Sequence, residues 1–279
     1  MPTPRQQKVR LADGRTLQVH DSGEGSLDGP VLIWHHGSPQ TGVLLPPLLS
    51  MTAARGIRLV SYGRPGYGGS TLHPGRTVAS AATDVAQIID ALGIDRFATM
   101  GASGGGPHAL ACAALLPDRV TGVVCLAGIA PYTGEEKEWF AGMVSSAGLR
   151  AALNGRAARA RYAATEEFDP DSFTAADWAA LSGTWASLGD DAQHAMAAGP
   201  DGLIDDDVAY VTPWGFDLAA VTAPVLLIQG GQDRVVPPTH AQWLREQLPG
   251  AQLWERPHDG HISVLDAVPA ALDWLTTGA

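Results

Sequence analysis

The chain has 279 residues, 45% of them hydrophobic and 17% charged, and its formal net charge is -11 at pH 7. This composition is that of a globular protein with a sizeable core, and it excludes a disordered or fibrous chain. Because nucleic acids and anionic membranes attract clusters of Lys and Arg, which this acidic chain lacks, neither is expected as a partner.

The first predicted elements are two short strands that form a hairpin. Residues 9–11 and 17–20 are the two arms, and Asp13-Gly14 is the turn between them. Continuous apolar runs then recur, which is typical of strands buried on both faces of a parallel sheet. They lie at residues 31–34, 59–62, 97–100, 123–126 and 225–228, and a last strand-like run lies at 252–254.

Helical patterns separate several of these strands, at residues 78–92, 107–116 and 239–248. Strands alternating with helices predict right-handed crossovers and a mostly parallel sheet with helices on both faces. The alternation stops between residues 131 and 213, where Ala, Trp and charged residues recur with helical periodicity. The predicted fold is therefore α/β and doubly wound, with a core from residues 1–130 and 214–279 and a helical cap inserted at 131–213.

The strongest chemical motif is G-x-S-x-G at residues 101–105, centred on Ser103. It directly follows a predicted strand and precedes a helix in which Pro107 suits the first turn. A nucleophile elbow needs this context, because the strained serine backbone requires small neighbours on both sides. A glycine-rich phosphate loop is disfavoured, since the Lys-Ser/Thr ending of such a loop is absent.

A serine hydroxyl needs a base and an acid to become a nucleophile. His261 follows the last strand and Asp233 follows the strand at 225–228, so both are expected at the carboxyl edge of the sheet, beside Ser103. His258 is the competing base, and Asp217 is the second candidate for the acid. Asp233 is also compatible with a helix N-cap role.

Two backbone N–H groups are expected to hold the oxyanion of the reaction. Gly104 supplies one, as the residue after the nucleophile, and Ser38 in the loop after the strand at 31–34 supplies the other. Pro39 has no N–H to donate. His36 is predicted to brace this loop; together with Trp214 it is also a candidate for the lining of the substrate pocket.

These motifs resemble those of the α/β-hydrolase superfamily, in its serine-nucleophile branch of esterases, proline-iminopeptidase-like enzymes and carbon–carbon bond hydrolases. The matching segments lie at residues 36–39, 64–70, 101–107, 230–233 and 260–261, in the order of that family. The resemblance implies a doubly wound fold with a helical cap, no metal and no organic cofactor. One departure is Gly63, where many relatives carry an aspartate, so a local salt bridge is expected to be missing.

The predicted function is a serine hydrolase that cleaves a small carboxylic ester through an acyl-serine intermediate. A carbon–carbon bond, lactone or amide hydrolase (including an aminopeptidase-like enzyme) and an acyltransferase use the same three residues, and a non-catalytic ligand receptor is an alternative of another class. A small-molecule substrate is the expected partner, and self-association is left open. The N-terminus lacks the apolar run of a signal peptide, so a cytoplasmic location is expected.

Two further features are assigned simple structural roles. The run at 205–207, three consecutive aspartates, is predicted to be a solvated segment or a helix start rather than a metal site. Cys112 and Cys125 each lie in an apolar run, which predicts buried free thiols.

Overall fold

The apolar runs form one sheet of eight strands in the computed structural model, which describes residues 4–23 and 29–277. The strand order across the sheet is β1-β2-β4-β3-β5-β6-β7-β8. β1 and β2 form the predicted antiparallel hairpin, β2 is antiparallel to β4, and the remaining pairs are parallel. The strands are β1 (Arg5–Arg10), β2 (Thr16–Asp21), β3 (Val31–His35), β4 (Arg58–Tyr62), β5 (Phe97–Ala102), β6 (Val120–Leu126), β7 (Val225–Gly230) and β8 (Gln252–Arg256).

Eleven α-helices accompany the sheet in the described residues, and none of them is long and apolar enough to cross a membrane. The helices outside the predicted insertion are α1 (Pro46–Ala53), α2 (Ser80–Ala91), α3 (Gly105–Leu115), α10 (Pro238–Gln247) and α11 (Val268–Thr276). Between β6 and β7 lie α4 (Glu136–Trp139), α5 (Ala147–Ala152), α6 (Arg156–Ala163), α7 (Ala175–Leu181), α8 (Ala186–Ala197) and α9 (Asp201–Val211). The predicted α/β fold with a mostly parallel sheet is confirmed, whereas α1 and α11 were not predicted.

The two faces of the sheet carry two separate apolar clusters. Along β3, Ile33 belongs to one cluster, and its neighbour Leu32 belongs to the other. This alternation follows from the two-residue period of a strand, and it explains why the parallel strands are continuous apolar runs. In β7, all six residues are buried.

The strand order brings four loops together at the carboxyl edge of the sheet. The chain passes from β3 to β4 on one side of β3 and then crosses to β5 on the other side. The loops after β3 and β5 are therefore neighbours at a switch point, which is where open α/β sheets bind their ligands. The loops after β7 and β8 also begin at the carboxyl edge of the sheet.

The segment from residue 131 to 213, called here the inserted segment, contains helices α4 to α9 and leads from β6 to β7. Its helical content agrees with the sequence pattern. That this segment is a separate cap domain with these boundaries stays a prediction.

Candidate active site

Ser103 occupies the sharp turn between β5 and α3. Its backbone φ is 54°, in the left-handed region that residues with a side chain rarely adopt. Its N–H donates to the carbonyl of Leu126 at 2.8 Å, which ties the turn to the end of β6. The flanking glycines have no room for side chains, because a Cβ at Gly101 would lie 2.2 Å from the carbonyl oxygen of Gly105, and one at Gly105 would lie 2.0 Å from that of His35.

The structure brings Ser103, His261 and Asp233 together in series. The Ser103 hydroxyl lies 2.9 Å from Nε2 of His261, and Nδ1 of His261 lies 2.8 Å from Oδ2 of Asp233. Since the carboxylate accepts the proton of Nδ1, Nε2 is left free to accept the proton of the hydroxyl. His261 and Asp233 are both buried, and Ser103 is partly exposed.

Asp233 is itself held by the turn that follows β7. Its Oδ1 accepts the backbone N–H groups of Val235 and Val236, each at 2.9 Å, and its Oδ2 accepts the side-chain amide of Gln229 at 3.2 Å. The carboxylate therefore caps this turn and also orients His261.

The environment of His261 favours its protonated form. Burial by itself lowers the pKa of the imidazole, but the negative charge and hydrogen bond of Asp233, together with the charge of Asp177, outweigh it and raise the pKa. A raised pKa makes His261 a stronger base and stabilises the imidazolium that would form when Ser103 loses its proton.

The two competing residues lie outside this arrangement. His258 is exposed to solvent. Asp217 accepts the N–H of Ala219 at 2.9 Å and caps the short 3-10 helix Leu218–Ala220.

Ser38 lies against Gly104, the residue that follows Ser103. A Cβ at Gly104 would lie 2.6 Å from Oγ of Ser38 and 2.2 Å from the hydroxyl oxygen of Tyr210, so this contact requires glycine. Within residues 4–23 and 29–277, the backbone N–H groups of Ser38 and Gly104 donate to no protein acceptor. Both are therefore available to a bound ligand.

His36 braces the loop after β3 from inside. Its Nδ1 donates to the carbonyl of Gly37 at 2.6 Å, and its Nε2 accepts the N–H of Arg64 at 3.1 Å. Burial and the positive charge of Arg64 hold the pKa of His36 well below its usual value, so the ring is neutral. Trp214 is buried as well, and its Nε1 donates to the carbonyl of Tyr210 at 3.3 Å. Contact of either ring with a substrate stays a prediction.

The prediction that residues 205–207 form a solvated segment or a helix start was wrong. All three aspartates lie inside α9 and are buried, because each is paired with arginine from elsewhere in the chain, a pairing that no local pattern indicates. The pairs are Asp205 with Arg156 at 2.6 Å, Asp206 with Arg64 at 2.7 Å and Arg76 at 2.6 Å, and Asp207 with Arg159 at 2.6 Å.

Asp206 connects α9 to the loop after β3. Its Oδ2 accepts the hydroxyls of Ser38 at 2.5 Å and Tyr67 at 2.9 Å. Its partner Arg64 donates to the carbonyls of His36 and Gly37 in the same loop. Burial raises the pKa of Asp206, but the positive charges of Arg64 and Arg76 outweigh burial and hold this pKa well below its usual value. The carboxylate is therefore ionised.

The structure explains why residue 63 is a glycine. A Cβ there would lie 2.7 Å from the carbonyl oxygens of Thr41 and Tyr67, so an aspartate does not fit. Arg64, the residue after Gly63, is paired with Asp206, which is 142 positions away.

Among the described residues, no group of three or more His, Cys, Asp or Glu side chains is placed to hold a metal ion. Cys112 and Cys125 are buried free thiols, as predicted.

Comparisons with known proteins agree with this architecture. The family model described as "alpha/beta hydrolase fold" matches residues 30–268. "Putative carbamate hydrolase RutD" of Caulobacter sp. (strain K31) is 29% identical over 260 residues, which cover 89% of each chain. "Rhodomycin D methylesterase DauP" of Streptomyces sp. (strain C5) is 32% identical over 107 residues, 34% of this chain and 36% of its own. A thermophilic esterase from Thermogutta terrifontis superposes with a TM-score of 0.72 at 21% identity, over 98% of each chain, and so is similar in fold.

Proposed function

The chain belongs to the α/β-hydrolase family and is a hydrolytic enzyme. We propose that it cleaves a small carboxylic ester, with Ser103 as nucleophile, His261 as base and Asp233 as the acid that orients the histidine. The observation that carries the proposal is the series of hydrogen bonds from Ser103 to His261 at 2.9 Å and from His261 to Asp233 at 2.8 Å.

The reaction proceeds in two steps. His261 takes the proton of the Ser103 hydroxyl as its oxygen attacks the ester carbonyl, and the N–H groups of Gly104 and Ser38 hold the oxyanion that develops. The imidazolium then gives its proton to the leaving alcohol, which leaves an acyl group on Ser103. A water molecule gives a proton to the same histidine as it attacks this acyl-serine, and the imidazolium returns that proton to Oγ of Ser103 as the acid is released.

A carbamate is the second candidate substrate. Its carbonyl carbon is attacked in the same way as that of an ester, and the relative named a carbamate hydrolase is similar along 89% of the chain. Ammonia release from a simple alkyl carbamate, compared with alcohol release from the matching ester, separates the two substrates.

The test joins covalent labelling with turnover. A fluorophosphonate probe followed by peptide mass spectrometry is expected to modify Ser103, and para-nitrophenyl esters of graded chain length are expected to show which acyl group the enzyme prefers. Ser103→Ala is expected to abolish labelling and to lower kcat by at least about 10⁴-fold. Ser182→Ala, on an exposed serine that directly follows α7, is the matched control and is expected to retain both labelling and turnover.

Two outcomes contradict the proposal. Wild-type protein that resists the probe at Ser103 supports the non-catalytic receptor. Labelling of Ser103 without turnover of any ester above the rate of Ser103→Ala points to a carbamate, amide, lactone or carbon–carbon bond substrate, or to an acyltransferase.

A further inference from the structure

We propose that Asp177, in helix α7 of the inserted segment, is a positioning residue that holds the loop of His261 in its catalytic place. The inference rests on the proposed function of His261 as base. Asp177 does not touch Ser103, so its effect passes through the backbone on both sides of the histidine and through its charge.

The carboxylate of Asp177 is bound directly to the two residues that follow His261. Its Oδ1 accepts the backbone N–H groups of Ile262 and Ser263, each at 2.8 Å, and the Ser263 hydroxyl at 2.9 Å. The side chain is fully buried, so these bonds face no competition from water. A charged acceptor with three donors is a strong local anchor.

The same carboxylate controls the residue before His261. The N–H of Gly260 donates to Oγ of Ser263 at 2.8 Å, so that hydroxyl links Asp177 to the other side of the histidine. A Cβ at Gly260 would lie 2.1 Å from Oδ2 of Asp177, and the carboxylate could not yield, because its own hydrogen bonds fix it. The glycine is therefore required by the carboxylate that packs against it.

Asp177 also acts on His261 through its charge. Burial raises the pKa of Asp177, but its hydrogen bonds to Ser263, Thr174 and Ile262 outweigh this and lower the pKa, so the group is ionised at neutral pH. The charged groups that act on the imidazole are Asp233, from the loop after β7, and Asp177, from α7. Both favour the imidazolium.

A purely structural role is the competing explanation, because Asp177 also closes a capping box with Thr174 at the start of α7. Its Oδ2 accepts the N–H and the hydroxyl of Thr174, each at 2.9 Å. This half of the contact set can be perturbed separately from the half that faces His261. Thr174→Ala removes a capping hydroxyl and leaves the carboxylate and its bonds to the histidine loop in place.

The experiment compares Asp177→Asn, Thr174→Ala and Ser263→Ala with the wild type. Asp177→Asn keeps the shape of the side chain and removes its charge; kcat is expected to fall by about 10- to 100-fold with KM little changed, because the loss is one of orientation. The acid limb of its pH–rate profile is expected to move to lower pH, since one of the two charges that favour the imidazolium is gone. NMR titration of His261 reports the same shift without substrate.

The control variants separate the two explanations. Thr174→Ala is expected to lower the denaturation midpoint, with kcat within about threefold of wild type and no movement of the acid limb. Ser263→Ala keeps the charge of Asp177 and removes the hydroxyl that donates to Asp177 and accepts the N–H of Gly260. It is expected to lower kcat by about three- to tenfold without moving the limb. Should Asp177→Asn fail to fold, Ser263→Ala decides the question, because wild-type kcat in that variant overturns the positioning role.

The inference fails if Asp177→Asn matches Thr174→Ala in both kcat and pH profile. This failure is distinct from that of the proposed function, in which the wild type itself would show neither labelling of Ser103 nor ester turnover.

Discussion

Asp206→Asn is the substitution that tests most directly how the inserted segment supports the loop of Ser38. The wild-type carboxylate is completely buried and neutralises two arginines, Arg64 and Arg76. Breaking a buried ion pair by removal of one partner costs about 3–5 kcal/mol, because the remaining charge is left without compensation. A typical total stability is about 5–15 kcal/mol, so the variant is expected to fold with a much smaller margin.

The same substitution is expected to lower kcat more than it raises KM. Ser38 donates its hydroxyl to Asp206 at 2.5 Å, and a displaced Ser38 N–H would weaken an interaction made only as the oxyanion develops. Loss of one oxyanion donor costs about 10²- to 10³-fold in kcat, and a loosened donor is expected to cost about 10- to 100-fold.

Urea denaturation and ester kinetics on the same preparation measure both effects. Asp207→Asn is the matched control, since it lies next in α9, is also buried and pairs with Arg159 rather than with the loop. Equal kcat in the two variants, whatever their stabilities, would refute the argument that Asp206 supports the site.

Four further predictions concern buried groups. Burial raises the pKa of Asp207 from 3.8 to about 7; between these values the native protein keeps a proton that the unfolded chain has lost. The unfolding free energy is therefore expected to fall as pH rises from about 4 to about 7, and urea titrations should show that Asp207→Asn lacks this fall. The pKa of His261 is raised above 6.5. Because the base must be neutral, kcat/KM should increase with pH through an ionisation above that value in a pH–rate profile. Asp233→Asn should lower kcat by about 10⁴-fold in the same assay. Tyr210→Phe removes a hydroxyl that lies 2.9 Å from the Gly104 carbonyl and 3.0 Å from Oγ of Ser38, and steady-state kinetics should show a fall in kcat of about tenfold with an unchanged KM.

The strands were predictable because burial on both faces leaves a continuous apolar run, as in β7. Helix α1 was missed because it has eight mostly apolar residues and begins with two prolines, so it shows no clear polar face at helical spacing. Helix α11 does bury residues at helical spacing, namely Val268, Ala271 and Leu272, so its pattern was visible in the sequence and was overlooked.

The three residues in series were predictable because each lies in the turn or loop that follows a strand and two of them lie next to glycine. Asp177 and Asp206 were not, since their roles come from partners far along the chain. Thr174 and Asp177 have the spacing of a capping box, which is a visible signal of a helix start. Nothing in that spacing indicates that the same carboxylate accepts the N–H groups of Ile262 and Ser263.

Three helices of the inserted segment each place a buried aspartate against a loop at the carboxyl edge of the sheet, and two of the three hold the same loop, the one after β3. Asp177 of α7 holds the loop of His261, and Asp206 of α9 holds Ser38. Asp191 of α8 accepts the N–H and the hydroxyl of Thr41, three residues beyond Ser38. An outward swing of the segment as one body would exchange all of these hydrogen bonds for bonds to water at once, at a net cost of about 1.5–3 kcal/mol for each bond to a charged carboxylate. Substrate access is therefore expected through side-chain and loop movements between these anchors, with the segment itself remaining in place.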